Sequence, residues 1–222
     1  MRTLLIVCCF FLLPGCAGYE IKNLAKSDID LVADEFIDES RRLVRELMVK
    51  LYKRNPAELA KNPGMTVRGR LAQLSVNRGA LIFTELGNRQ ETQALELVFD
   101  PAYKGDRVFA LIVGLGGMLR HAYGYSDELF LFDSLDADKL QTSAHNVEVL
   151  AWRLRNSRWP DGRHFLVASE TDGVIDNLSF ERLLGKLIVL QEIMARIAGD
   201  ADDRTVNKVV QAASSVFIPL PI

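Results

Sequence analysis

The clearest pattern in the chain is a stripe of apolar positions over residues 27–54. Apolar side chains recur there at steps of three and four, which is the spacing of one helix face. Ser27 and Asp30 fit a capping box at the start of this helix, and Ser40 occupies one position of the stripe. The apolar members of the stripe are Ile29, Val32, Phe36, Leu43, Leu47 and Leu51.

Two more segments, residues 133–156 and 179–198, repeat the same spacing and predict long helices. The second is apolar around most of its circumference, so we expect it to lie centrally. Shorter helices are predicted over residues 56–61, 66–77, 92–99 and 203–214. A turn is predicted at 159–162, and residues 164–168 are the single segment that favours a short strand.

Residues 106–123 form the most apolar part of the chain after its first residues. Positions 108–119 carry no charge, yet a helix needs about 20 apolar residues to cross a bilayer, so a buried helix is predicted. Gly114, Gly116 and Gly117 weaken this helix and suggest close backbone packing against a neighbour. The whole pattern predicts an all-α fold, a single multi-helix globular domain.

The chain begins with a short apolar run, residues 4–13, that ends in Leu13, Pro14, Gly15 and Cys16. The run has the length of a signal-peptide core. Leu13, Gly15 and Cys16 resemble the lipobox of bacterial lipoproteins, although Pro14 departs from the small residue usual in that family. The resemblance implies a signal peptide over residues 1–15, a lipidated Cys16 with a tether over 16–26, and the helical domain over 27–222.

What this resemblance implies is attachment to a membrane through acyl chains on Cys16. Several chains make such an attachment effectively stable. Ala17 then implies the periplasmic face of the outer membrane, with the inner membrane as the alternative. Cys8 and Cys9 lie inside the expected signal, so no intramolecular disulfide is expected. An ordinary secretory signal with a chance cysteine is the other interpretation.

Charge and motifs exclude several classes of function. The chain has 27 basic and 29 acidic side chains, a balance that argues against a nucleic-acid partner. His121, His145 and His164 lack the spacing of metal ligands, so neither a metal nor a cofactor is predicted. Residues 114–119 lack the third glycine of a phosphate loop, and residues 124–128 lack the last glycine of a nucleophile elbow.

Two groups of residues are candidate sites. The first follows the glycine-containing helix and could line a small-molecule pocket: His121, Tyr123, Tyr125 and Asp127. The second is basic and aromatic and could contact anionic lipid or a cell-wall polymer: Trp152, Arg153, Arg155, Arg158 and Trp159. The alternative for the second group is a basic helix end with its tryptophans in the core.

These observations leave two classes of function. One is a lipid-anchored envelope protein, a non-catalytic binding or accessory module facing the periplasm, with an envelope protein as a potential partner. The other is a periplasmic hydrolase whose site assembles from residues distant in sequence. The absence of a local nucleophile or metal motif favours the first. An apolar tail over residues 216–222 is expected to pack on the core.

Overall fold

The computed structural model describes residues 26–77, 79–130, 135–168 and 178–216, with side chains described as far as residue 201. Within these ranges there are seven α-helices and no β-strand, which confirms the all-α prediction. None of the described helices is both long and apolar enough to cross a membrane. The helices are α1 (Asp28–Arg54), α2 (Pro56–Ala60), α3 (Val67–Val76), α4 (Glu91–Phe99), α5 (Arg107–Ala122), α6 (Ala137–Asn156) and α7 (Ser179–Val216).

Side-chain caps fix where the main helices begin. Ser27 Oγ accepts a hydrogen bond from the Asp30 amide at 3.2 Å, and the Asp30 carboxylate accepts one from the Ser27 amide at 2.6 Å. This is the predicted capping box. Asp106 caps α5 in a similar way, and Asp136 caps α6 by accepting from the Lys139 amide at 3.0 Å. These caps satisfy amides that the first turn of a helix leaves unpaired.

The buried face of α1 differs from the predicted stripe in its first half. Val32 is exposed and Phe36 is half-buried, whereas Ala33 and Ile37, each one position later, are buried. From Ser40 onward the prediction is confirmed. Because 3.6 residues make one turn, a stripe drawn at steps of three and four drifts slowly away from the inward side of a helix of this length.

The central element is α5. Residues 108–113 are all 0% exposed, because α1, α4 and α6 pack around this helix. The prediction that residues 179–198 form the central helix is wrong. That segment belongs to α7, which packs along α6 and α1 and leaves Val189 49% exposed.

The three glycines of α5 lie on two different faces of the helix. A Cβ at Gly114 would lie 2.7 Å from the Glu91 carbonyl oxygen, so the backbones of α4 and α5 touch there. A Cβ at Gly117 would also face Glu91, at 3.5 Å from its Cγ and its backbone nitrogen. Gly116 faces the opposite side, toward Leu81 and Val44. The predicted close approach is therefore confirmed at Gly114, which is the tightest of the three positions.

Three predictions of secondary structure are corrected. Helix α6 begins at Ala137, because Asp136 caps it, and residues 133–134 lie outside the described residues. The helices predicted over 179–198 and 203–214 are one continuous helix, α7. The strand predicted at 164–168 is absent from this described segment, where His164 forms only an isolated bridge with Arg158. Residues 1–25, including Cys16, and the tail beyond Val216 lie outside the described residues.

Candidate binding cavity

A cavity of about 530 Å³ lies between α1, the end of α3, α5 and the segment after α5. Its volume falls in the range of roughly 300–1,000 Å³ that is typical of small-molecule pockets. Six apolar residues, all at least nine-tenths buried, form its floor. They are Ile37, Val44, Leu74, Leu81, Ile112 and Leu119.

Two small residues form part of the cavity wall in helix segments that otherwise carry large apolar side chains. Ser40 stands in the apolar stripe of α1, and Gly116 stands in the most apolar segment of the chain; both line the cavity. A Cβ at Gly116 would already meet Leu81 Cδ1 at 3.3 Å. Ser40 is 4% exposed, and its Oγ has no hydrogen-bond partner among the described residues. This unpaired hydroxyl is unusual, because buried polar atoms are normally bonded.

One end of the cavity is closed by paired charges. The Lys26 ammonium forms ion pairs with Asp34 and, at 3.2 Å, with Glu128. The Asp34 carboxylate also accepts a hydrogen bond from the Leu129 amide at 2.8 Å. Lys26 was assigned to the tether, but its side chain is 2% exposed and joins the start of α1 to the segment after α5.

The other end is lined by three arginines. Arg41 pairs with Asp38 at 3.2 Å and with Asp127. Arg45 donates to Ser75 Oγ at 2.8 Å. Arg120 donates to three backbone carbonyl oxygens at the end of α3, those of Leu74 at 3.0 Å, Asn77 at 2.7 Å and Gly79 at 3.0 Å. These carbonyls are at the negative end of the α3 dipole, so Arg120 caps that helix.

The pKa of the Arg120 guanidinium is lowered, mainly by burial and then by the positive charge of Arg41. The Asp127 carboxylate opposes this shift, whereas Arg45 adds to it. The electrostatic environment of Arg120 therefore includes two like charges and one opposite charge. Such an environment favours the arrival of an anion.

The predicted pocket residues separate into two places. Tyr123 and Asp127 line the cavity. Tyr123 is buried, and its burial raises the pKa of the phenol, an effect that the Gln191 side chain opposes. His121 and Tyr125 do not line the cavity; they contact Glu91 instead.

The contact around Glu91 forms a second polar cluster. His121 Nδ1 lies 2.9 Å from Glu91 Oε2, and the Tyr125 hydroxyl donates to the same carboxylate. The two rings are stacked, with centroids 5.3 Å apart. Burial, followed by the bond to Glu91, raises the pKa of Tyr125 to about 12. Both Glu91 and Tyr125 have positive φ, at 47° and 61°, so the local backbone is strained.

The predicted basic and aromatic group is also divided. Trp152 is 65% exposed, whereas the Trp159 ring packs on Phe165 with centroids 4.6 Å apart. The other three members are engaged locally: Arg153 lies over the Phe99 ring, Arg155 pairs with Glu181, and Arg158 donates to the Arg155 and Ser157 carbonyls. One tryptophan is therefore outside and the other is packed inward.

Sequence reasoning missed most of the cavity lining, notably Lys26, Ser40, Arg45, Gly116 and Arg120. Two signals were present in the sequence. Ser40 interrupts an apolar stripe, and Arg120 follows directly after an uncharged run. Neither signal indicates which side chains it meets in the fold. Such contacts can join residues far apart in the sequence: the pairing of Lys26 with Glu128, for example, spans 102 positions.

No group of three or more histidine, cysteine, aspartate or glutamate side chains within the described ranges is arranged to hold a metal ion. No protein-family model, no curated protein and no solved structure matches the chain.

Proposed function

We propose that this chain is a lipid-anchored module of the bacterial cell envelope that binds a small molecule without transforming it. The observation that carries the binding part is the cavity of about 530 Å³ between α1 and α5, with an apolar floor and a rim of charged groups. Small-molecule sites combine these two features. The resemblance at Leu13, Gly15 and Cys16 supports the anchor and a location on the periplasmic face of the outer membrane.

The binding part is tested by filling the cavity. Ser40→Leu would place an apolar side chain in it and would also remove an unpaired hydroxyl. We expect native mass spectrometry of the full chain, purified from membranes, to find a small-molecule adduct in the parent and in Ser40→Ala. The adduct should be lost in Ser40→Leu, while both variants melt at or above the parent temperature. An adduct that survives in Ser40→Leu would contradict this site.

The anchor is tested independently through Cys16. Replacing it in Cys16→Ser removes the sulfur to which lipid would attach, so metabolic palmitate labelling should disappear. Cys9→Ser, which alters a cysteine of the expected signal peptide, is the control and should keep its label. Labelling that persists in Cys16→Ser would show that the lipobox interpretation is wrong.

A hydrolase is the second candidate, and the contact that favours it is the pairing of His121 with Glu91 at 2.9 Å. A histidine oriented by a carboxylate can act as a general base. The Glu91 cluster does not line the cavity, which favours binding over catalysis at the cavity. Hydrolysis of an ester substrate by the parent chain that is lost in His121→Gln would favour the hydrolase instead.

A further inference from the structure

We propose that the cavity selects a small organic oxyanion, a carboxylate or a phosphate monoester that carries one compact apolar group. This inference rests on the proposed binding function and adds the chemical class of the ligand. The anionic head would lie between Arg45 and Arg120, and the apolar group would lie on the floor formed with Val44, Leu81 and Ile112.

The charges around the cavity are matched unevenly. Lys26 and Arg41 are each in contact with carboxylates. By contrast, the hydrogen bonds of Arg45 and Arg120 to the described residues all go to neutral oxygens: the Ser75 hydroxyl and three backbone carbonyls. Neutral acceptors leave the formal charge of a guanidinium uncompensated. Two such groups at one end of a cavity attract an oxyanion, whose geometry the planar guanidinium matches.

The hydroxyl of Ser40 supports the same class of ligand independently of the arginines. Its oxygen is buried and without a partner in the described part of the chain, and the residue lines the cavity. A hydroxyl can both donate and accept, so rotation of the Ser40 side chain toward the cavity would let a bound molecule with oxygen atoms satisfy it. The lowered pKa of Arg120, caused first by burial and then by Arg41 and Arg45 against the opposing Asp127 carboxylate, agrees with an end of the cavity where positive charges outnumber negative ones.

The apolar floor of the cavity requires an apolar part in the ligand. A bare inorganic anion could occupy the arginine end but would leave the apolar floor unfilled. A neutral apolar molecule would cover Val44, Leu81 and Ile112 but would leave both guanidiniums without an anionic hydrogen-bond acceptor. Only a molecule with both parts uses the whole cavity, and a volume of about 530 Å³ suits a compact apolar group.

The test compares three probes that differ by one part each: phenyl phosphate, inorganic phosphate and phenol. Isothermal titration calorimetry of the full chain, purified from membranes, should show binding of phenyl phosphate. Removing either the ring or the phosphate should weaken binding by at least about tenfold, the effect of losing about 1.4 kcal/mol of binding free energy. Equal binding of phenol and phenyl phosphate would overturn the anionic class while leaving small-molecule binding intact.

The variants place the anion. Arg45 is exposed and bonds to Ser75, so Arg45→Gln should leave the fold intact and weaken phenyl phosphate by about tenfold. Arg42→Gln is the matched control, because Arg42 lies on the same helix but pairs with Glu39 and Glu46 outside the cavity. It should bind like the parent. Arg120 is not used, since its removal would also release three carbonyls at the end of α3.

Each remaining outcome has one meaning. Equal affinities of Arg45→Gln and the parent for phenyl phosphate would overturn the proposed head position and with it the inference. Competition by phosphatidylglycerol vesicles, but not by phosphatidylcholine vesicles, would overturn the compact ligand and assign the anion to a lipid headgroup. An adduct that survives cavity filling by Ser40→Leu would reject this cavity as the binding site, independently of the probe results.

Discussion

The two ends of α5 use the same kinds of residue to opposite effect. At its start, Arg70 of α3 is 0% exposed and bonds to Glu85 at 2.5 and 2.9 Å and to Asp106 at 3.2 Å. The Tyr52 hydroxyl donates to the same Asp106 carboxylate at 2.8 Å. The Arg70 guanidinium also lies 3.8 Å from the centroid of the Phe109 ring.

At the other end of α5, arginines again meet α1 and α3, but they bond mainly to neutral oxygens and border an open volume. Arg120 caps α3 and Arg45 reaches Ser75. Both ends are built from α1, α3 and α5. The first end is closed because carboxylates compensate its arginine and Phe109 fills the space beside it. The second borders the cavity, where Ser40 and Gly116 form part of the wall and two arginines face no carboxylate at bonding distance in the described chain.

The comparison shows that a buried charge does not itself mark a binding site. Where opposite charges are matched and the space is filled, the network fixes how helices meet. Where they are unmatched beside an unfilled volume, the same residues can recognise a ligand. The predictions below separate these two roles, since stability should depend strongly on the first end and weakly on the second.

The largest expected effect is that of Arg70→Met. It would leave the Asp106 carboxylate, 1% exposed, without its cationic partner. Breaking a buried pair costs about 3–5 kcal/mol, which for a chain of this size lowers the melting temperature by roughly 6–20 °C. The matched change at the open end, Arg45→Met, should shift stability by less than about 0.5 kcal/mol. Similar melting temperatures for the two variants would refute the contrast between the ends.

The next effect is the removal of one hydroxyl at each end. Tyr52→Phe would take a hydrogen bond from the buried Asp106 carboxylate and should cost about 1.5–3 kcal/mol. Ser40→Ala would remove a hydroxyl that has no partner in the described residues, so stability should stay level or rise. Urea unfolding of both variants measures this difference. A loss in Ser40→Ala as large as that in Tyr52→Phe would mean that Ser40 is bonded in solution.

A third comparison uses two glycines of the same helix. Gly114→Ala would place a methyl group 2.7 Å from the Glu91 carbonyl and should destabilise by about 1–3 kcal/mol. Gly116→Ala would meet the end of the flexible Leu81 side chain at 3.3 Å and Val44 at an ordinary contact distance of 3.8 Å. Since alanine favours a helix by about 1 kcal/mol over glycine, it should be neutral or stabilising. Thermal unfolding decides between these signs, and a stabilised Gly114→Ala would refute the close approach of α4 and α5.

Much of the fold could be predicted from local signals. Ser27 and Asp30 marked the start of α1, and Pro56 marked the start of α2, because caps and proline act within a few residues. The merging of two predicted helices into α7 could not be predicted in the same way. Gly199 and the acidic residues after it are typical of a break in a helix, yet the described backbone continues as helix through them.

The candidate site was less accessible to sequence reasoning. His121, Tyr123, Tyr125 and Asp127 lie close together in the sequence, but the turn after α5 directs them to different places. The placement of His121 and Tyr125 depends on Glu91. This residue is 30 positions from His121, and its contacts are fixed by the packing of α4 on α5. Periodicity indicates which face of a helix is buried, but it does not indicate which side chains from other helices meet there.

The smallest expected effect is a dependence of stability on pH through His164. It sets the pH at which the two ends of α5 should be compared. Burial, and then the charge of Arg158, lowers the pKa of His164 below its ordinary value of 6.5. The folded chain therefore binds fewer protons than the unfolded chain as the pH falls through 6.5, and its stability should decrease toward lower pH. Above about pH 7.5 this contribution is constant.

Melting temperatures measured between pH 5 and 8 should show a decline at the acidic side that is reduced in His164→Phe. The control His145→Phe, which alters an exposed histidine, should keep this decline. An identical pH profile in His164→Phe and the parent would show that another group is responsible, and the comparison of the two ends would then need its own pH series.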